Sequence, residues 1–211
     1  MARNIDPKCK QCRRVNEKLF LKGERCFSSK CAMVKRNYPP GHHGSKGSQR
    51  LSEYGTQLRE KQKALKSYRL LEKQFHNYFV KAKNTKEGTT GNNLLILLES
   101  RLDNVIFRLG MVKSRDRARQ IVNHGHILVN GRKIDIPSYQ VKVNDELSVK
   151  SSTMSKKSYQ EMAKKINKKE IPSWLSYIDE KQLKAKVLSV PKKDDLPDGF
   201  DMASIVEFYS R

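Results

Sequence analysis

The sequence predicts an α+β protein: a cysteine-stapled basic N-terminal segment, a helical lobe, and an inserted helix-helix-β-hairpin unit. Three observations carry that prediction. All four cysteines fall within the first 31 residues, as two close pairs. Apolar and aromatic residues recur at helical spacing between Tyr68 and Leu109. Asn130-Gly131 then joins two β-rich runs, the strongest short hairpin signal. The expected segments are 1–45, 46–97, 98–150 and 151–211, the last packing back on the helical lobe.

The first segment is organised by Cys9-x₂-Cys12, thirteen residues, then Cys26-x₄-Cys31. Two close pairs bracketing a loop can place four thiolates around one point, which tetrahedral Zn²⁺ requires. Lys8, Lys10, Arg13, Arg25 and Lys30 would help keep the thiols ionised. The expected ligands are Cys9, Cys12, Cys26 and Cys31 around a structural zinc with no open position. Reduced free thiols are the next reading, a [4Fe–4S] cluster a more distant one. A disulfide is disfavoured because "MARNIDPKCK" has no apolar signal core. Metal binding, worth on the order of 10 kcal/mol, would fold a segment poor in apolar residues.

Tyr38 to Arg50, "YPPGHHGSKGSQR", is rich in Gly, Pro and Ser and reads as loop, so His42 and His43 are loop residues rather than ligands. "LSEYGTQLREKQKA" begins a charged helix. Tyr68, Leu71, Phe75 and Tyr78 or Phe79 follow as an aromatic stripe that packs on a neighbouring helix. His76 flanks it without a recognisable partner. "KNTKEGTTGNN" breaks the chain before "LLILL".

From Leu98 the pattern is tightest. Leu98, Leu102, Val105, Ile106 and Leu109 form one helical stripe. Ser114 stands at an N-cap position, and Ala118, Ile121 and Val122 form the buried side of the next helix. His124-Gly125 ends it, with Gly accepting the left-handed C′ conformation. "HILVNGRKIDI" is the hairpin and "YQVKVNDELSV" further strand. Arg108, Lys113, Arg115 and Arg119 lie off the apolar stripes, and Arg132 and Lys133 just past the turn. Arginines beside a helix N-terminus suit phosphates, because that end adds free N–H groups and partial positive charge. Ser114 and Asn130 complete the candidate RNA-binding set here. Arg13, Arg14, Lys35, Arg36, Arg50, Arg59 and Lys63 extend it upstream.

Charge supports a nucleic-acid partner. The chain has 44 Lys and Arg against 22 Asp and Glu, a net charge of +22. So much positive charge repels itself, and a polyanion relieves it. Residues 1–50 carry +10, 51–98 carry +5, 99–149 carry +3 and 150–211 carry +4. Binding is therefore spread over several surfaces. The longest aliphatic run, Leu94 to Leu98, is too short to span a bilayer. No segment pairs a basic face with Trp- or Phe-rich bulk. The expectation is a soluble, intracellular protein with no membrane role.

Beyond Val149, "KSSTMSKKSYQEMAKKINKKE" is polar, basic and weakly helical. "MSKKS" at 154–158 superficially resembles an ATP-binding loop of class I aminoacyl-tRNA synthetases, but no Rossmann unit accompanies it. Trp174 in "IPSWLSYID" is an expected core anchor. "VLSVPKKDDLP" and "ASIVEFYSR" read as short strands or turns folding back. No Ser/His/Asp order, paired-carboxylate pocket or phosphate loop is present, so no enzyme is expected. Asp103 could be compared with the aspartate of pseudouridine synthases, yet between Arg101 and Asn104 it reads as a helix-surface ion pair.

"LESRLDNVIFRLGMVKSRDRARQIVNHGHILVNGRKIDIPSYQVKVNDELSV" resembles the S4 RNA-binding domain. With the N-terminal cysteines, "PPGHHG", "SEYGTQLREKQKA", "PSWL" and "IVEFYSR", the whole chain is similar to the bacterial-type small-subunit ribosomal S4 family. That resemblance implies a primary binder of 16S ribosomal RNA that clamps a multi-helix junction and nucleates subunit assembly. It also implies neighbouring proteins S3 and S5, with messenger RNA passing close by, and a cytoplasmic location on the small subunit. Many members lack the cysteines, so the metal expectation rests on spacing. The alternative is a free-standing regulatory RNA-binding protein acting on messengers or stalled ribosomes.

Overall fold

The computed structural model describes residues 4–47, 50–155, 159–160, 171–192 and 199–211. The chain forms two compact units, Met1–Leu94 with Asp198–Arg211, and Leu95–Pro197. Helix and sheet are both present, as an α+β chain requires.

In the first unit, short helices α1 (Lys8–Val15), α2 (Glu24–Phe27) and α3 (Ala32–Lys35) precede two longer ones, α4 (Glu53–Ser67) and α5 (Glu72–Asn84). Val15, Leu19, Leu21 and Met33 bury themselves with Cys12 and Cys31 in a small apolar cluster. Arg69, itself buried, donates to Gln11 Oε1 at 3.0 Å and so ties the end of α4 to α1. Ser52 caps α4 by accepting from the Gly55 N–H. The aromatic stripe packs as its spacing implies, with Tyr68, Phe75 and Phe79 buried.

The stripe packs on a helix, as expected, but that helix is one the sequence reading took for strand or turn. "ASIVEFYSR" is helical, Met202–Ser210, and not strand or turn. Asp201 accepts from the Ser204 N–H and starts it. Tyr209 lies 4.7 Å from Phe79 and 6.2 Å from Phe75 between ring centroids. Its hydroxyl donates to Glu72 at 2.7 Å, and Lys61, only 4% exposed, reaches the same carboxylate.

The second unit holds α7 (Leu102–Arg108), α8 (Arg115–Asn123), a short helix Ser151–Met154, and an antiparallel sheet. The sheet has strands β1 (Ile127–Val129), β2 (Arg132–Ile134), β3 (Glu146–Val149), β4 (Leu175–Asp179) and β5 (Lys184–Val187), in the order β2-β1-β3-β5-β4. Val129 faces Arg132 across the two-residue turn, where Asn130 and Gly131 take φ of 50° and 76°. Both are the positive values of a type I′ turn, which Asn and Gly tolerate. Gly125, at φ 66°, ends α8 as its sequence implies.

Two further expectations are corrected here. The stripe from Leu98 to Leu109 is not one helix: α6 (Thr90–Glu99) stops and α7 restarts at Leu102. Between them Arg101 pairs with Gln140 as an isolated antiparallel bridge. The Leu102 and Asp103 N–H groups donate to Tyr139 and Pro137 instead of to a preceding turn. Nor does all of 151–211 pack on the helical lobe. β4 and β5 extend the hairpin sheet, and only Asp198–Arg211 belongs to the first unit. The cause is apolar alternation: Leu175, Ala185 and Val187 join Trp174, 1% exposed, in the core under α7 and α8. The weakly helical reading of 150–170 lies largely outside the described residues, as do "KKS" at 156–158 and "KDDLP" at 193–197.

Tyr177 joins the added strands to the helices, its hydroxyl donating to the Leu109 carbonyl at 2.8 Å. Burial pushes its phenol well above the ordinary range. Tyr177→Phe should leave that carbonyl without its partner and cost about 1–2 kcal/mol in urea unfolding. An unchanged midpoint would mean the bond contributes nothing.

Candidate nucleic-acid interface

The start of α8 is built as its sequence implies. Ser114 takes an extended backbone, and its Oγ accepts from the Arg117 N–H at 3.3 Å. Lys113 and Arg117 are exposed on either side. Arg115 is half-buried and fixed in orientation: its Nε donates to Asn104 Oδ1 at 2.7 Å, and its guanidinium lies 4.6 Å from the Phe107 ring centroid. A guanidinium held in plane loses less freedom on meeting an oxyanion than a loose one. Arg132 and Lys133 stand exposed on the hairpin.

Asn130 is exposed, yet its side chain is occupied by the fold. Nδ2 donates to Asp145 at 2.8 Å while Oδ1 accepts the Glu146 N–H at 2.8 Å. It locks the turn to the start of β3.

The placement of Arg119 is corrected. It is 1% exposed and faces Asp103 at 3.5 Å, with Arg101 on the same carboxylate at 2.8 Å. Asp103 is 5% exposed, so this is an interior ion cluster and not a helix-surface pair. The reason is that α8 buries a face wide enough to include Ala118, Arg119, Ile121 and Val122, and a carboxylate on α7 meets the one cation on it.

Arg108 also turns inward. Its Nε and Nη2 grip fully buried Glu99 at 2.8 and 2.9 Å. Asn104 Nδ2 donates to that carboxylate at 2.8 Å. The series Glu99, Asn104, Arg115 therefore runs from the interior to the start of α8.

In the first unit Arg14, Lys35, Arg36 and Arg50 are exposed, and Arg59 is half-buried. Arg13 serves the loop: it donates to the Tyr38 carbonyl at 2.8 Å and lies 4.7 Å over the Tyr38 ring. Lys63 is paired with Glu17 at 2.7 Å. Arg117 and Lys142, both exposed, are cations the sequence reading passed over. Arg117 and Arg119 flank the Ala118–Ile121–Val122 stripe at similar angles, so periodicity alone did not separate the exposed one from the buried one.

This combination of capped helix, type I′ hairpin and exposed cations has known counterparts. Residues 100–147 match the family described as S4 domain, and residues 3–99 match Ribosomal protein S4/S9 N-terminal domain. The chain belongs to the ribosomal protein S4 family. Full-length relatives extend the match to every residue of both chains. They are the small ribosomal subunit protein uS4 of Syntrophomonas wolfei and of Nitrosospira multiformis, each 50% identical over 211 residues. The protein of the same name from Thermus thermophilus is 47% identical over 211 residues.

The cysteines of this S4 family member line one small cavity together with Leu21, Lys22, Arg25 and Met33. Burial pushes the Cys12 thiol up, and the neighbouring Cys26, Cys9 and Cys31 add to the effect. The Lys22 N–H donates to Cys26 Sγ at 3.3 Å. Among the described residues no group of three or more His, Cys, Asp or Glu is arranged to hold a metal ion. Thiols are the donor type that structural Zn²⁺ takes. Among the described residues no helix is long and apolar enough to cross a membrane.

The ion cluster gives a sharp expectation. Asp103→Ala would leave Arg101 and Arg119 buried without their shared carboxylate, at a cost of about 3–5 kcal/mol. Denaturant unfolding checks it; a loss below about 1 kcal/mol would mean the pair is solvated in solution.

Proposed function

We infer that this protein is a structural, non-catalytic constituent of the small ribosomal subunit that binds ribosomal RNA in the cytoplasm. The observation that carries the reading is agreement along the entire chain with proteins named small ribosomal subunit protein uS4. We further propose that its target is a multi-helix junction of 16S ribosomal RNA, that it nucleates assembly there, and that S3 and S5 are its neighbours.

The mechanism is electrostatic clamping of a folded RNA. Lys113, Arg115, Arg117, Arg132 and Lys133 supply phosphate contacts from one unit, and Arg14, Lys35, Arg36 and Arg50 from the other. Such contacts fix position and orientation without reading bases. Shape, not sequence, is what an RNA helix presents to them. Ser114 contributes through the helix start it caps. Arg108, Arg119, Arg13, Lys63 and Asn130 serve indirectly, by holding the surfaces that carry the others.

Co-sedimentation with small subunits through a high-salt sucrose gradient tests the assignment. A resident protein stays with the particle; one that washes off is a visitor. For the phosphate face, Arg132→Ala with Lys133→Ala should flatten the plot of log affinity against log salt by roughly 0.7–0.9 for each phosphate no longer neutralised. An unchanged slope would move the RNA face away from the hairpin.

We also propose that Cys9, Cys12, Cys26 and Cys31 hold a structural Zn²⁺. Their shared cavity and the paired spacing support it. The metal would cross-link a segment whose apolar cluster is small, and it would supply no chemistry beyond that. Chelation should speed amide exchange in residues 1–45 and spare Leu95–Pro197. A single global transition would contradict this division.

A further inference from the structure

The N-terminal segment exposes two aromatic rings side by side. Phe20 is 42% and Phe27 77% exposed, and their rings stack with centroids 5.0 Å apart and planes 28° apart. The apolar residues around them are held from within. Leu19, Leu21 and Cys26 are buried, and the Lys22 N–H meets Cys26 Sγ. Phe20 has φ of 50°, a left-handed value costly for a bulky side chain. The fold thus spends strain to turn one ring outward onto another, where neither contributes to the core. Lys18, Lys22, Arg25 and Lys30, all exposed, surround the pair along the chain. Glu24 is the exposed acid among them; Glu17 is held by Lys63.

We propose that Phe20 and Phe27 form a stacking platform for one unpaired base of the bound ribosomal RNA. A flat π-face bordered by cations is how proteins hold single-stranded nucleotides: the ring takes the base and the lysines take its phosphates. An apolar protein partner would not call for that cationic border. The inference rests on the RNA-binding reading and names a site within it.

The test uses the full chain and 16S ribosomal RNA. Phe27→Ala should weaken binding roughly 5- to 100-fold, the range of a lost base stack. The salt slope should not change, because no phosphate partner is removed. Phe27→Trp should keep the affinity, and Phe27→Leu should lose it as Ala does, having no π-face. Irradiation should cross-link Phe27 to a nucleotide. The side chain is mostly solvated, so thermal melting should match wild type in each variant. Unchanged affinity in Phe27→Ala, or full affinity in Phe27→Leu, overturns the platform alone. Wild-type protein that fails to bind 16S ribosomal RNA overturns the function reading and the platform with it.

Discussion

Two carboxylates buried beside α7 hold the hairpin unit in its shape. Glu99 is fully enclosed and takes Arg108 through both oxygens and Asn104 through one. Asp103 receives Arg101 and Arg119. Burying charge is costly unless it is paired and hydrogen-bonded, so this interior tolerates no rearrangement that separates the partners. The same residues explain why the helix breaks after Glu99. Arg101 pairs with the 137–141 segment as a strand would, and this turns α7 toward the sheet. Asn104 then passes the constraint outward, fixing Arg115 at the start of α8.

This sorting of cations resolves an oddity of composition. Residues 99–149 carry the smallest excess of positive charge in the chain, yet they form the S4 domain. Net charge alone does not say which groups a ligand meets, because several of them are buried. Glu99, Asp103 and Asp145 are buried, while Lys113, Arg117, Arg132, Lys133 and Lys142 are exposed. Interior pairs cancel, so the excess resides on these exposed cations, with Asp135 and Glu146 as the exposed acids. Exposed pairs would be worth little in any case, since water and salt screen them.

Local signals were legible in the sequence wherever backbone chemistry decides the outcome. Ser114 caps α8, Gly125 ends it, and Asn130-Gly131 turns the hairpin, each because few residues accept those backbone states. The aromatic stripe was equally plain. Non-local decisions were not. Whether Arg119 faces water depends on Asp103, sixteen positions away, and periodicity cannot see a partner. The helical form of Met202–Ser210 was missed, though not its return to the helical lobe, because a nine-residue helix and a short strand share one apolar pattern. The joining of β4 and β5 to the hairpin sheet was missed because strand neighbours are chosen by tertiary packing.

The site residues divide along the same line. Residue type marked the cations correctly as charged but could not say which would be consumed by the fold. Arg13, Arg108, Arg119 and Lys63 are engaged internally at 2.7 to 3.5 Å. An RNA-binding surface built this way needs both groups. Exposed lysines and arginines attract a polyanion over a Debye length of about 8–10 Å, with little regard to its shape. Buried ion pairs set where those exposed groups stand, and fixed positions let a folded RNA be distinguished from a flexible one of equal charge. On the proposed clamping mechanism, recognition by shape would depend on Arg108 and Arg119, which the fold holds on Glu99 and Asp103.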